Sequence, residues 1–129
     1  MAPMPAPQKS FTRSSPAEVL LDIELDQGAL QFVLACDGAA VHAVRVRFSR
    51  VIRDLSGLRV NDNPLFTNLQ FLAAGRRIPF LVDTLASYQH RRQPMQFQVR
   101  LEWLGEDGVR CRRTINHDLT AWTRLRQLL

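Results

Sequence analysis

One lysine, Lys9, stands in a chain of 129 residues with 17 basic and 12 acidic side chains. Nearly all the positive charge is therefore guanidinium, which forms planar bidentate contacts with carboxylate or phosphate that an ammonium cannot. Cysteine is almost as scarce: Cys36 and Cys111 are the only two, and with three histidines they offer no paired spacing of the zinc type. No glycine-rich phosphate loop is present. No Ser, Cys or Thr has a histidine and a carboxylate in local reach, as nucleophilic catalysis would need. No stretch approaches the roughly 20 apolar residues that span a bilayer, and Met1 to Pro16 lacks the apolar core of a signal peptide. These absences lead to the expectation of a soluble, cytoplasmic, non-enzymatic chain without metal or cofactor. In that compartment both thiols are expected reduced, buried and inert.

What is present is alternation. Met95, Phe97, Val99, Leu101 and Trp103 alternate with Gln96, Gln98, Arg100 and Glu102, a period of two that puts the apolar groups on one face of a strand. Gly105-Glu106-Asp107-Gly108 then signals a turn into a second arm, Val109 to Asn116. The same pattern runs through Val19 to Leu25, turned by Gln27-Gly28 into Leu30 to Cys36. Asp37-Gly38 reads as a further hairpin turn, leading to Val44, Val46 and Phe48 with Arg45, Arg47 and Ser49 pointing away. Ser49 to Pro64 reads as irregular, with a helical turn at Val51 to Leu55. Leu65 to Leu72 and Ile78 to Val82 read as two more strands about Ala74-Gly75, with Pro79 marking the second as an edge or bulged strand. Residues 1–17 hold four of the seven prolines and read as a disordered tail. Residues 18–117 form the β domain. In 118–129, Asp118 caps a short helix carrying Leu119, Trp122, Leu125 and Leu128, with Arg124 and Arg126 in its last turns, and this helix is expected to lean on its own domain.

Two stretches resemble a known family. Leu34-Ala35-Cys36-Asp37-Gly38-Ala39-Ala40-Val41-His42-Ala43-Val44-Arg45-Val46 is similar to the turn of bacterial immunoglobulin-like sandwich domains, where an Asn-x-Gly-x-x-Ala type motif precedes alternating valines. Phe71-Leu72-Ala73-Ala74-Gly75-Arg76-Arg77-Ile78 is similar to a later corner of those domains. The resemblance covers residues 18–118 and implies an accessory module. The chain departs from the pattern in Asp37 for the Asn, Ala74 for a Pro, and the lack of a membrane anchor. The expected fold is thus an all-β, immunoglobulin-like antiparallel sandwich of about seven strands with a short C-terminal helix.

In such a sandwich the third, sixth and seventh strands share a sheet. Arg45, Arg47, Arg100, Arg110 and Arg112 would then gather on one outward face, while Asp22, Glu24 and Asp26 face outward elsewhere. The expected function is a protein-interaction or assembly module, an accessory subunit binding an acidic protein surface of a larger complex through these arginines. The alternative is a nucleic-acid-binding domain using the same face, disfavoured in sequence because no exposed Phe, Tyr or Trp is expected there for base stacking. His42, in phase with Val44 and Val46, is expected partly buried; His90 is expected solvated in a basic loop from Tyr88 to Gln93. Asn116-His117-Asp118 has a catalytic look but ends a strand.

Overall fold

The computed structural model describes residues 17–123. Of the expected tail only Ala17 is described, and Arg124, Leu125, Arg126 and Leu128 also lie outside the described residues. Seven strands form two antiparallel sheets. One holds β1 (Glu18–Asp26), β2 (Ala29–Asp37) and β5 (Arg77–Thr84) in the order β1-β2-β5. The other holds β4 (Leu69–Leu72), β3 (Val41–Phe48), β6 (Gln96–Leu104) and β7 (Arg110–Asp118) in the order β4-β3-β6-β7. The expected all-β sandwich is what the chain forms.

Turn chemistry explains the local connections. β1 and β2 pair from Asp26↔Ala29 outward around Gln27 and Gly28, whose φ values of 54° and 86° are the left-handed pair that matches strand twist in a two-residue hairpin. β6 and β7 are joined by residues 105–109, closed by Gly105 N–H to the Val109 carbonyl at 2.9 Å and by the Asp107 carboxylate accepting from Val109 N–H. Asp37-Gly38 departs from expectation. It reverses the chain, but β2 and β3 lie in different sheets, so it is a corner between layers and not a hairpin. β5 is both an edge and bulged: Leu30 faces Asp83 while Gln31 faces Leu81, leaving Val82 as the extra residue.

The inner faces interleave as alternation requires. Leu34, Val46, Phe97, Val99, Leu101 and Trp103, the six expected core residues, are all buried. Phe32, Phe48, Phe66, Phe80 and Phe97 form a chain of ring contacts 5.2–6.2 Å apart between the layers.

The two open sides of the sandwich are closed differently. At the β5 side the chain from Ser49 to Asn68 fills the gap. Expected to be helical at Val51–Leu55 and extended from Leu65, it instead carries a 3₁₀ turn at Val60–Asp62 and a one-turn helix α1 (Pro64–Thr67). Asn63 caps α1 by accepting from Leu65 N–H, and Pro64 occupies the first helical position. Ile52, Val60 and Phe66 are buried, and Leu55 N–H reaches the Val82 carbonyl at 2.7 Å. Next to it, α2 (Leu85–His90) replaces part of the expected basic loop; Thr84 caps it by accepting from Ser87 N–H. Tyr88 is buried and donates its hydroxyl hydrogen to the Pro94 carbonyl; burial pushes its ionisation well above the ordinary phenol value, against the pull of Arg91 and Arg50.

This side is latched by Asp83, the one buried charged residue among the described ones. Arg91 donates to its carboxylate from Nε at 2.9 Å and Nη2 at 2.6 Å, and Nη2 also reaches the Arg53 carbonyl at 3.0 Å. Burial pushes the Asp83 carboxyl up, but hydrogen bonds from Arg91, Thr84 and Ser87 outweigh it and hold the group below the usual carboxylate range. At the other side, where β1 meets β7, side chains make the closure: His117 Nε2 lies 2.8 Å from the Leu21 carbonyl and Arg113 pairs with Glu18 at 2.8 Å. Asp118 accepts from Thr120 N–H and opens a helical turn over 120–123, with Leu119 buried and Trp122 packed on the core. The described start of the C-terminal helix therefore docks on its own domain.

Candidate functional site: the outer face of the four-stranded sheet

Register assembles the face row by row. Arg45 on β3 lies opposite Glu102 on β6, which lies opposite Arg112 on β7; in the next row Arg47 faces Arg100, which faces Thr114. Arg110 sits one row the other way, opposite Leu104. All five expected arginines are exposed, because each alternates with a residue anchored in the core: Val44 and Val46 on β3, Val99 and Leu101 on β6, and Cys111 on β7. Rows two residues apart along a strand are separated by about 7 Å and neighbouring strands by about 4.8 Å, so the guanidinium groups form one array.

None of the five makes an ion pair among the described residues. Four other arginines do: Arg59 with Asp62, Arg77 with Glu24, Arg91 with Asp83 and Arg113 with Glu18. Arg47 directly opposite Arg100 is a like-charge cross-strand pair, which a sheet tolerates at a cost in stability. Arg47 also divides two shallow concavities. One, of about 380 Å³, is bordered by Arg45, Phe48, Asn61 and Thr67. The other, of about 190 Å³, lies among Ser49, Gln98 and Arg100. Beyond them the face turns neutral, as Gln98 donates to the Asn116 side chain at 3.2 Å and its N–H donates to Ser49 Oγ at 2.8 Å. The arrangement is a positively charged, rigid surface that can take two or more anionic groups at once.

The opposite sheet is less acidic than its sequence implies. Glu24 and Glu18 are neutralised by Arg77 and Arg113, leaving Asp22 and Asp26 as the exposed β1 carboxylates without an arginine partner among the described residues.

Sequence reasoning missed one end of the arginine face. Phe71 is 51% exposed and its ring lies 5.2 Å from that of His42, its cross-strand partner. Register continues this row through Leu104 to Arg110. His42 is exposed, not half-buried, because Ala43 takes a left-handed φ of 50° and the β3–β6 register shifts there, breaking its phase with Val44. A non-glycine residue gives no local sign of that conformation.

The remaining candidates are placed apart. Cys36 is buried with its thiol against the Ala39 carbonyl at 3.2 Å, and burial, helped by Asp37, pushes its ionisation up against a backbone hydrogen bond from Gly75. Cys111 is free and only half-buried, so the expectation of two buried thiols holds for Cys36 alone. His90 is exposed at the end of α2. In the triplet that looked catalytic, Asn116 bonds Gln98, His117 reaches β1 and Asp118 caps the final turn. Among the described residues no group of three or more His, Cys, Asp or Glu is placed to hold a metal ion, and no helix is long and apolar enough to cross a membrane. Comparison with protein-family models, curated proteins and solved structures finds no match.

Proposed function

We propose that this chain is a non-enzymatic, immunoglobulin-like interaction module that captures an acidic protein surface on the outer face of its four-stranded sheet. The observation that carries the reading is the placement of the arginines: of thirteen in the described residues four are held in internal ion pairs, and five of the nine without one, Arg45, Arg47, Arg100, Arg110 and Arg112, share a single sheet face. The sheet fixes the spacing of the five arginine Cα positions, and each planar guanidinium can make bidentate contacts to a carboxylate. The immunoglobulin-type kinship draws support from β3, β6 and β7 lying side by side. A cytoplasmic accessory subunit within a larger complex is the setting such a module suits.

The exposed Phe71–His42 pair supports a second reading. An aromatic platform at the end of an arginine array is what a single-stranded nucleic acid uses, one base stacking while phosphates follow the charges. One experiment separates the two. Capture from native lysate at low salt, with and without nuclease, by the parent and by an Arg47→Glu/Arg112→Glu variant should give a nuclease-resistant protein partner that the variant loses. Retention that disappears with nuclease replaces the first reading by the second, and equal capture by parent and variant removes both.

A further inference from the structure

A sandwich of two open sheets has four edge strands, and three of them are blocked. β4 is only four residues long. β5 contains Pro79 and the Val82 bulge, and the Val82 carbonyl is already taken by Leu55 N–H. β1 has its Leu21 carbonyl occupied by His117. These are the usual means by which a sheet edge is protected from pairing. Of such devices β7 carries only charge, Arg110 and Arg112 on its outer face and an inward Arg113 already paired with Glu18. It runs nine residues, pairs with β6 along its whole length without a bulge, and contains no proline. Among the described residues no group bonds its outer backbone edge. Its inward side chains, Cys111, Arg113, Ile115 and His117, are only half-buried, whereas Val99, Leu101 and Trp103 on the neighbouring strand are buried. The inner side of β7 is thus less deeply covered than that of β6, although Arg113 and His117 reach β1.

The order of charges along β7 states what can pair with it. Arg110, Arg112 and Arg113 lie in its first half, and its last half reads Ile115, Asn116, His117, Asp118. Antiparallel pairing of the strand with itself about Thr114 sets Arg110 against Asp118, Cys111 against His117, Arg112 against Asn116 and Arg113 against Ile115, with Thr114 opposite Thr114. All nine residues pair and no two like charges face each other. Centring one residue earlier sets Arg113 against itself, and two earlier sets Arg112 against itself; centring one later gives up the pairs of Arg110 and Cys111. A Thr–Thr pair is a favourable cross-strand neighbour, and this centre avoids the like-charge contacts that the two earlier centres carry.

We propose that β7 is the contact of a two-fold homodimer, in which two copies join their four-stranded sheets into one continuous sheet centred on Thr114. The interface is isologous, so one symmetric contact closes it. This goes beyond the reading of the arginine face and does not depend on it; its effect is to place two arginine faces side by side.

Two-fold symmetry gives a signature that can be measured by sedimentation equilibrium of the full chain over a range of concentrations. A charge at position 114 meets its own copy whatever its sign, so Thr114→Glu and Thr114→Lys should both weaken the dimer, whereas Thr114→Val should preserve it. Position 116 faces Arg112 twice, so the sign matters: Asn116→Glu should tighten the dimer and Asn116→Arg should loosen it, each by roughly 2- to 30-fold. Circular dichroism identifies any variant that fails to fold. Hydrogen exchange of the parent then reads the same contact directly, as protection of β7 amides that rises with protein concentration. A parent chain that remains monomeric overturns the proposal. So does a dimer indifferent to charge at 114 and 116, or β7 exchange that does not change with concentration.

Discussion

Arg91 and Arg100 carry the same guanidinium to opposite ends of a physical scale. Arg91 lies at the β5 side, where it closes on the fully buried Asp83 carboxylate and on the Arg53 carbonyl. Arg100 lies on the outer face, exposed, across from Arg47 with no counter-charge in the described residues. The first is tied into the fold; the second is exposed and, beside Arg47, carries a like-charge cost that the fold does not need. The contrast shows that the number of arginines says little about binding until their internal partners are subtracted.

The sharpest way to break the comparison is to remove one member of the buried pair. Asp83→Ala leaves Arg91 without its carboxylate, and Arg91→Ala leaves a buried carboxylate uncompensated; each should cost about 3 to 5 kcal/mol in a urea titration. Phe97→Ala should cost a similar ~3 to 5 kcal/mol, since the ring fills the space between the layers against Phe32 and Phe48. Phe97 lies on the inner side of the strand whose outer side carries Arg100, so the two faces of one strand can be read separately.

Acid titration sharpens the comparison further. The Asp83 carboxyl is held below its unfolded value, so its contribution is fully present above an unfolded pKa of about 4 and is lost as pH falls through the folded value. The urea midpoint of the parent should fall below about pH 4. An Asp83→Asn variant should start lower at neutral pH and lose less on acidification. An identical acid dependence in both would remove Asp83 from the latch.

The smallest stability effect belongs to the outer face. Arg47→Glu/Arg112→Glu should move the unfolding free energy by no more than about 0.5 kcal/mol per site, because exposed charges contribute little. The same variant is the one expected to abolish capture. A large loss of stability would mean that these arginines serve the fold after all.

Much of this was legible in the chain. Alternation in Phe97 to Trp103 and in Val44 to Phe48 located the core, and the phase of Arg45, Arg47, Arg100, Arg110 and Arg112 against those residues located the outer face. The errors share a physical origin. Asp37-Gly38 announces a reversal, but which sheet the returning strand joins is decided by pairing with β6, some fifty residues away. Leu65 to Leu72 looks like one extended run, although Asn63-Pro64 already held the cap and first position of a helix. His42 came to the surface, beside Phe71 of β4, through a left-handed alanine that composition cannot reveal. The Asp83–Arg91 latch joins a strand end to the residue just past a helix, and nothing local links the two.

The pairing of β3 with β6 also sets a clock. The hairpins β1–β2 and β6–β7 close loops of two and five residues and can form within microseconds. Their apolar faces are buried only by non-local contacts, among them Ser49 with Gln98 across a stretch that includes the whole β5 side. That encounter, and the still longer closure of β7 on β1 through Arg113–Glu18 and His117–Leu21, raise the share of non-local contacts, which is the property that slows folding in all-β sandwiches. A hairpin that forms ahead of those contacts has its hydrophobic side open to any other chain in the vicinity.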